Sequence, residues 1–310
     1  MGFIVGPRLN AAGRLDDMSL GINCLLTDDV NEAELLAKRL DNLNQERKEI
    51  ESEMKLDAES QLASFFESFD ASEVSSSVDR IETWGLCLYQ AHWHQGVIGI
   101  LASRIKEKLN RPTIIFAPAN DDPEDENPVL KGSARSIPGL HMRDALDLLA
   151  KRHPNLLSKF GGHAMAAGMS IEFNHLEAFT EAFNNIVKEL LTEADLGSVL
   201  LTDGELDPNE RTLENIALLE RSGPWGQAFP EPIFDGTFNV LQQRVLKEKH
   251  LKLVLSDESG GQFIDAIQFN SDWCRESLPN KVRIVYRPNI NEFRGKKSVQ
   301  FFIDYLELAN

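Results

Sequence analysis

An α/β domain with a long amphipathic helix ahead of it and a small all-β barrel behind it is the fold the sequence predicts. Three observations carry that expectation. No glycine or proline interrupts residues 28–69. From about residue 80 to residue 192, strand-like and helix-like segments alternate, the pattern of an α/β domain. Beyond residue 232, five strand-like runs follow one another with a marked turn at 257-DESGG-261, which favours a small antiparallel barrel with the OB-fold as leading candidate.

The opening segment, 2-GFIVGPRLNAAGRLDD-17, is rich in glycine, proline and small residues and has no preceding element to pack against, so it reads as the tail of something and as a loop. A short helix is expected over 18-MSLGINCLLT-27. Leu36, Leu40, Leu43, Ile50, Met54, Leu62, Phe65 and Phe69 then recur at three-, four- and seven-residue steps or their multiples, one narrow apolar stripe on a long helix. Asp28 and Asp29 place negative charge at its start, where the helix dipole favours it. Such a helix is a connector between domains, a coiled coil or a mere spacer. A loop at 71–79 follows. Strands are expected at 82–90, 112–117, 130–136 and 168–173, with helices at 97–109, 142–152 and 176–191 and an acidic surface loop at 120–128. One more helix, at 209–220, and the turn-rich 222-SGPWGQAFPEP-232 lead into strands at 233–246, 250–257, 262–269, 281–290 and 298–308.

A length of 310 residues suggests two domains or three small ones, and 42% apolar with 26% charged residues is ordinary for globular domains with real cores. No apolar run approaches the roughly 18 residues of a membrane span, and the first residues do not read as a signal peptide. Cys24, Cys87 and Cys274 are odd in number and far apart, which suits a reducing cytoplasm and offers no CxxC zinc spacing. The net charge of −17 argues against a uniformly positive coat for nucleic acid. That charge is uneven. Residues 1–78 hold 7 basic and 16 acidic side chains, residues 130–163 hold 6 and 2, and residues 240–297 hold 11 and 7. Local basic regions on an acidic chain suit a narrow track for an anion.

Five stretches could carry chemistry. In 158-SKFGGHAMAAGMS-170, Gly161 and Gly162 precede His163; a loop of this kind can free backbone N–H groups for an oxyanion, or it is a tight packing turn. In 90-QAHWHQGVIGI-100, His92 and His94 are two apart at an expected strand end and would share one face. No third metal ligand is evident, so hydrogen-bonding or phosphate roles are favoured over a metal pair, and the helix that follows can receive an anion at its N-terminus. In 131-KGSARS-136, Lys131, Ser133, Arg135 and Ser136 offer charge and hydroxyl donors on one strand, with a solvated strand edge as the alternative. In 6-GPRLNAAGR-14, Arg8 and Arg14 lie among small residues, as in an anion loop, though the pattern is unspecific by itself. In the final segment Arg244, Lys247, Lys249, Lys252, Arg287, Arg294, Lys296 and Lys297 lie near strands and turns, with Trp273, Tyr286 and Phe293 as aromatic neighbours. Basic grooves with aromatics hold single strands by charge plus stacking, although many barrel aromatics are only core.

Taken in order, GPRLNAAGR, HWHQGVIGI, KGSARS, GGHAMAAG and GPWGQAFPEP before a barrel containing HLKL resemble the RecJ family of the DHH phosphoesterase superfamily, bacterial 5′-to-3′ exonucleases specific for single-stranded DNA. The resemblance covers essentially the whole chain. It implies that 1–28 ends a DHH domain, 29–70 is the connecting helix, 79–192 is the α/β DHH-associated domain, and 193–310 is largely the OB-fold barrel. It also implies that Arg8, Asn10, Arg14, His94, Gly96, Arg135, Ser136, Gly161, Gly162 and His163 contact substrate. Single-stranded DNA on the barrel would be met by Arg244, Lys249, Lys252, Arg287, Arg294 and Lys296. The family uses Mn²⁺ or Mg²⁺ to activate water, but its aspartate-rich motifs and Asp-His-His triplet do not occur here. No catalytic residue, metal ligand or bound cofactor is therefore expected in this chain, which reads as the C-terminal portion of such an enzyme and as inactive alone. A role in DNA repair and recombination, with single-strand-binding protein and a helicase as partners and no membrane, is what the resemblance further implies. The competing readings are a non-catalytic single-strand-binding or docking module and a phosphodiesterase for short RNA or cyclic dinucleotides. The barrel disfavours the last.

Overall fold

The computed structural model describes residues 2–67, 83–120, 125, 127–197, 199–226, 229–257 and 261–309. It divides into two compact units, Met1–Ser198 and Val199–Asn310. The loop expected at 71–79, the position of Phe69 and most of the acidic loop at 120–128 lie outside the described residues.

The first unit opens with α1 (Val5–Leu15), α2 (Ser19–Leu26) and α3 (Val30–Glu67). Helix α1 corrects the expected loop. Its Gly6 and Pro7 fall in the first turn, where backbone N–H groups have no intrahelical partner to lose. Ala11 and Ala12 are fully buried, and Ala12 joins Leu20 of α2 and Leu40 of α3 in one small core. Ion pairs Arg8–Asp41 at 2.7 Å and Arg39–Asp16 at 2.8 Å flank that contact. Helix α3 is no mere spacer. Its far half buries Met54, Ala58 and Leu62 against Trp93, Val97, Leu101 and Ile105, so it is fused to the α/β fold it precedes.

That fold consists of β1 (Leu86–Tyr89), α4 (Ile98–Leu109), β2 (Thr113–Pro118), β3 (Val129–Arg135), α5 (Met142–Arg152), β4 (Lys159–Gly162), β5 (Ala166–Glu172) and α6 (Leu176–Leu190), closed by the short α7 (Glu193–Leu196). The sheet order is β1-β2-β3-β5-β4. Only β1 and β2 are parallel, joined through α4; the remaining pairs are antiparallel. One face carries Ile114, Phe116, Leu130, Ala134, Ala167, Met169 and Ile171 into a core shared with Leu146 and Leu149 of α5 and Phe179 and Phe183 of α6. On the opposite face, α4 packs against Leu86, Ile115 and Ala117 of β1 and β2. Strand alternation turns Lys131, Ser133 and Arg135 to that second face, away from the α5–α6 core.

The glycine stretch is a β-hairpin. Gly161 and Gly162 belong to β4, pair with Gly168 and Ala167, and leave His163 in the connection, where its N–H donates to Ala166 O at 2.8 Å. Gly162 has φ +154°, and a Cβ there would stand 2.4 Å from Ala166 O and 2.5 Å from Ala167 Cα, so no other residue fits.

In the second unit α8 (Leu213–Ser222) precedes β6 (Phe234–Leu246), β7 (His250–Ser256), β8 (Phe263–Phe269), β9 (Lys281–Phe293) and β10 (Lys296–Leu308). The strands close into a barrel in the order β10-β8-β7-β6-β9. The pairing corrects the purely antiparallel expectation, because β10 runs parallel to β8 and thereby seals the cylinder. Phe238, Leu251, Leu253, Leu255, Ala266, Ile284, Tyr286 and Phe301 fill it, and Ile216 of α8 packs onto that core. The fully buried Arg211 sits 5.2 Å over the Phe238 ring, donates to Leu206 O, and pairs with Asp257.

Candidate functional site

Where the second sheet face runs past α4, it leaves a groove of about 560 Å³. Four cations line it: Arg14 from α1, Lys131 and Arg135 from β3, and Lys159 from β4. No carboxylate is among the described residues that line it. Ser133, Ser170 and Gln95 add neutral donors, and Gly96, Gly99, Gly132 and Gly168 bring the backbone to its wall. Strand register explains the convergence. Lys131 and Lys159 both stand opposite Ser170, and Ser133 and Gly161 both stand opposite Gly168.

Arg135 is the best-anchored of the four. Its Nε donates to Ser103 Oγ at 3.1 Å, and one terminal nitrogen donates to Ser133 Oγ at 3.0 Å and Ala134 O at 2.8 Å. Burial, and after it the nearby positive charge of Arg14, holds its pKa below the usual arginine value. Two like charges held close with no carboxylate between them make a seat for an anion. Arg14 in turn donates to Gly96 O at 3.3 Å. Gly96 is required there, since a Cβ would lie 2.0 Å from Arg14 O. This contact fixes α1 against the loop before α4.

The histidines are placed otherwise than their spacing suggests. Strand β1 ends at Tyr89, so His92 and His94 lie beyond it and share no strand face. His92 Nε2 lies 2.7 Å from Asp57 Oδ2 on α3, and Trp93 Nε1 donates to the same oxygen at 3.3 Å. His94 Nδ1 accepts from Gly96 N–H at 3.0 Å, which leaves the proton of the neutral ring on Nε2. His163 is exposed at the hairpin connection, at the end where Arg135 pairs with Ala166. Neither His94 nor His163 lines the groove. Ser136 does not reach it either. Its side chain is 1% exposed and donates to Leu140 O at 2.7 Å, because alternation turns it away from Arg135. Arg8 is spent on Asp41 and Ile4 O, and Asn10 is exposed on α1. Lys159, Ser170 and Gln95 escaped the sequence reading; pairing register would have revealed the first two.

On the barrel, the cations sort by partner. Arg287 is held by Asp304 through two hydrogen bonds of 2.8 and 2.7 Å and by Glu231 at 3.4 Å, and Lys252 pairs with Asp265 at 3.2 Å. Both cations thus already have carboxylate partners within the fold. Arg244 and Lys249 are exposed on β6 and the β6–β7 turn. Arg294 and Lys296 are exposed at the tip of the β9–β10 hairpin, where Arg294 lies over the Phe293 ring at 5.1 Å. Positive φ at Arg294 and Gly295 (52° and 77°) marks the tight two-residue turn. Tyr286 is core: it stacks on Phe301 at 3.9 Å and burial pushes its phenol up to about 12. The aromatic surface is instead a row across β7, β8 and β10, with His250–Phe269 at 5.3 Å and Phe269–Phe302 at 5.7 Å.

Among the described residues no group of three or more His, Cys, Asp or Glu converges to hold a metal ion. The cationic groove is unsuited to one, since its charged donors are all positive.

Comparison with known proteins shows where this architecture recurs. Residues 82–189 match the DHHA1 domain and residues 202–305 match the RecJ OB domain. The single-stranded-DNA-specific exonuclease RecJ of Dickeya dadantii is 48% identical over 309 residues, covering 99% of this chain and 51% of that protein. The Escherichia coli protein of the same name is 48% identical over 307 residues, covering 98% of this chain and 50% of its own. The chain thus spans about half the length of the curated relatives it matches. Among solved structures, RecJ of Thermus thermophilus in complex with Mg²⁺ aligns with a TM-score of 0.73 at 25% identity, covering 99% of this chain and 43% of that one. The Mn²⁺ complex from the same organism aligns with a TM-score of 0.72 at 26% identity.

Proposed function

This chain carries a DHHA1 domain followed by a RecJ OB domain, and from that premise we propose that it is the strand-holding part of a RecJ-type 5′-to-3′ exonuclease for single-stranded DNA. One observation carries the reading. The groove on the DHHA1 sheet gathers four cations and no carboxylate from the described residues, on a chain whose net charge is −17. Such a concentration of positive charge has a chemical use in holding phosphates. Arg14 and Arg135 grip a phosphate there, while His94, Gly161, Gly162 and His163 border the approach. On the barrel, Arg244, Lys249, Arg294 and Lys296 follow the backbone and the His250–Phe269–Phe302 row stacks bases.

The residue spans divide accordingly: 1–28 as the end of a DHH domain, 29–70 as the connector, 79–192 as the DHH-associated domain and 193–310 as the barrel with its lead-in helix. Hydrolysis needs Mn²⁺ or Mg²⁺, and the donors described here do not fit such an ion. The chain's own work is therefore binding and orientation, and by itself it releases no nucleotides. DNA repair and recombination in the cytoplasm, alongside single-strand-binding protein and a helicase, is the setting this activity suits. No helix among the described residues is long and apolar enough to cross a membrane.

The test is a titration of the purified chain with single- and double-stranded oligonucleotides at several salt concentrations. Preference for the single strand, with affinity falling steeply as salt rises, supports the reading. Equal affinity for both forms, or none at low salt, refutes it.

A further inference from the structure

The cations of the groove form two groups, and only one contains arginine. Arg14, Ser133 and Arg135 lie at one end. At the other, Lys131 and Lys159 face each other across β5, each opposite Ser170 in the strand register. Lys131 Nζ donates to Ser170 Oγ at 3.2 Å, and Ser170 is only 7% exposed. A lysine–serine–lysine row across three adjacent strands is a built arrangement, since each strand contributes one member at one level of the sheet. Along β3, Lys131 and Arg135 are four residues apart, a backbone span of about 13 Å, longer than one internucleotide step. Beyond the row, the next β5 residue on this face is Glu172, which accepts from Asn127 Nδ2 at 3.3 Å and bounds the cationic floor with a negative charge.

We propose that Lys131, Ser170 and Lys159 form a second, separate phosphate seat that takes an internal phosphodiester of the same single strand held by Arg14 and Arg135. The proposal rests on the reading of the groove as a strand-holding site. The two ends differ in kind. Arginine presents a planar fork that fixes a phosphate in one orientation, whereas lysine is a compact point charge with rotatable donors. The lysine seat therefore tolerates a backbone that shifts along it, and the arginine seat sets the register.

The experiment scans a 5′-phosphorylated thymidine hexamer in which one linkage at a time is replaced by a neutral methylphosphonate. Wild type is compared with Lys131→Ala/Lys159→Ala, with the milder Lys131→Gln/Lys159→Gln, and with Arg135→Gln. In wild type, neutralising one particular internal linkage weakens binding by roughly tenfold. In the lysine double variants that linkage loses its effect and the salt slope of log K falls by about 0.7 for the lost contact, while Arg135→Gln leaves sensitivity at that linkage intact. Lysine variants that keep the whole wild-type linkage profile overturn the second seat, and so does a uniform loss at every linkage. If Arg135→Gln also leaves affinity and profile untouched, the strand-holding reading itself fails. Far-UV circular dichroism of each variant verifies that the comparison is between folded proteins.

Discussion

Replacing Arg135 by glutamine separates binding from folding at a single position. The guanidinium is half-buried and its hydrogen bonds run to Ser103, Ser133 and Ala134, all neutral groups. The charge nearest in effect is Arg14, which is positive, and burial and that neighbour both hold the Arg135 pKa down. Both influences disfavour the cation in the folded chain, so removing it relieves a cost while the guanidinium's hydrogen bonds to neutral acceptors are lost. A glutamine amide recovers part of that loss, and the net change in unfolding free energy stays within about 1 kcal/mol. Binding behaves differently. A charge-assisted hydrogen bond to phosphate contributes about 1.5–3 kcal/mol, so affinity for a short 5′-phosphorylated single strand falls roughly 10- to 100-fold. The slope of log K against log salt also becomes shallower by about 0.7. Fluorescence anisotropy at four salt concentrations, together with urea unfolding, measures both quantities on the same preparation. A variant destabilised by more than about 2 kcal/mol with an unaltered salt slope would show that Arg135 serves packing and would refute the reasoning.

The hairpin glycines give opposite outcomes. Gly162→Ala destabilises by about 1–3 kcal/mol, because its φ of +154° and the 2.4 Å approach to Ala166 O leave no room for a Cβ. Gly161→Ala, with nothing within 4 Å of its Cβ, keeps the wild-type melting temperature. Arg211→Ala leaves Asp257 without its buried partner and lowers barrel stability by about 3–5 kcal/mol, read as a lower midpoint in thermal unfolding. For Asp57, the hydrogen bond from His92, then that from Trp93, holds the carboxyl pKa below its ordinary value. The stabilisation it brings is fully present above about pH 4 and is lost as pH falls through the lowered folded value. Asp57→Asn should remove this part of the acid dependence, seen as a flatter stability profile below pH 4.

The periodic elements were legible because each repeats a pattern over many residues. The stripe on α3 and the run 142-MRDALDLLAKR-152 show a helical period, and in β7 the buried Leu251, Leu253 and Leu255 alternate with less buried residues. What escaped was set by partners distant in sequence. Helix α1 looks like a loop from its Gly6 and Pro7, yet these fall in the one turn where they cost little, and its buried face exists only against α2 and α3. The parallel β8–β10 pair is invisible to local pattern, since closure of a barrel is decided by strands more than thirty residues apart.

The same distinction explains the site. Histidines and paired glycines stand out in sequence by their chemistry, and three of them make defined contacts within the fold: His92 with Asp57, His94 with Gly96, and Gly162 within its hairpin. The groove was built by less conspicuous residues. Lys131, Ser133 and Arg135 share a face by simple alternation, which the sequence shows, but Ser136 falls out of the set for the same reason. Lys159 joins them only through β5, whose register no single segment encodes. For a site on a sheet, the informative unit is thus the cross-strand row rather than the motif. The row shows which charges share the groove, whereas motif adjacency groups Arg135 with the buried Ser136 and leaves out Lys159.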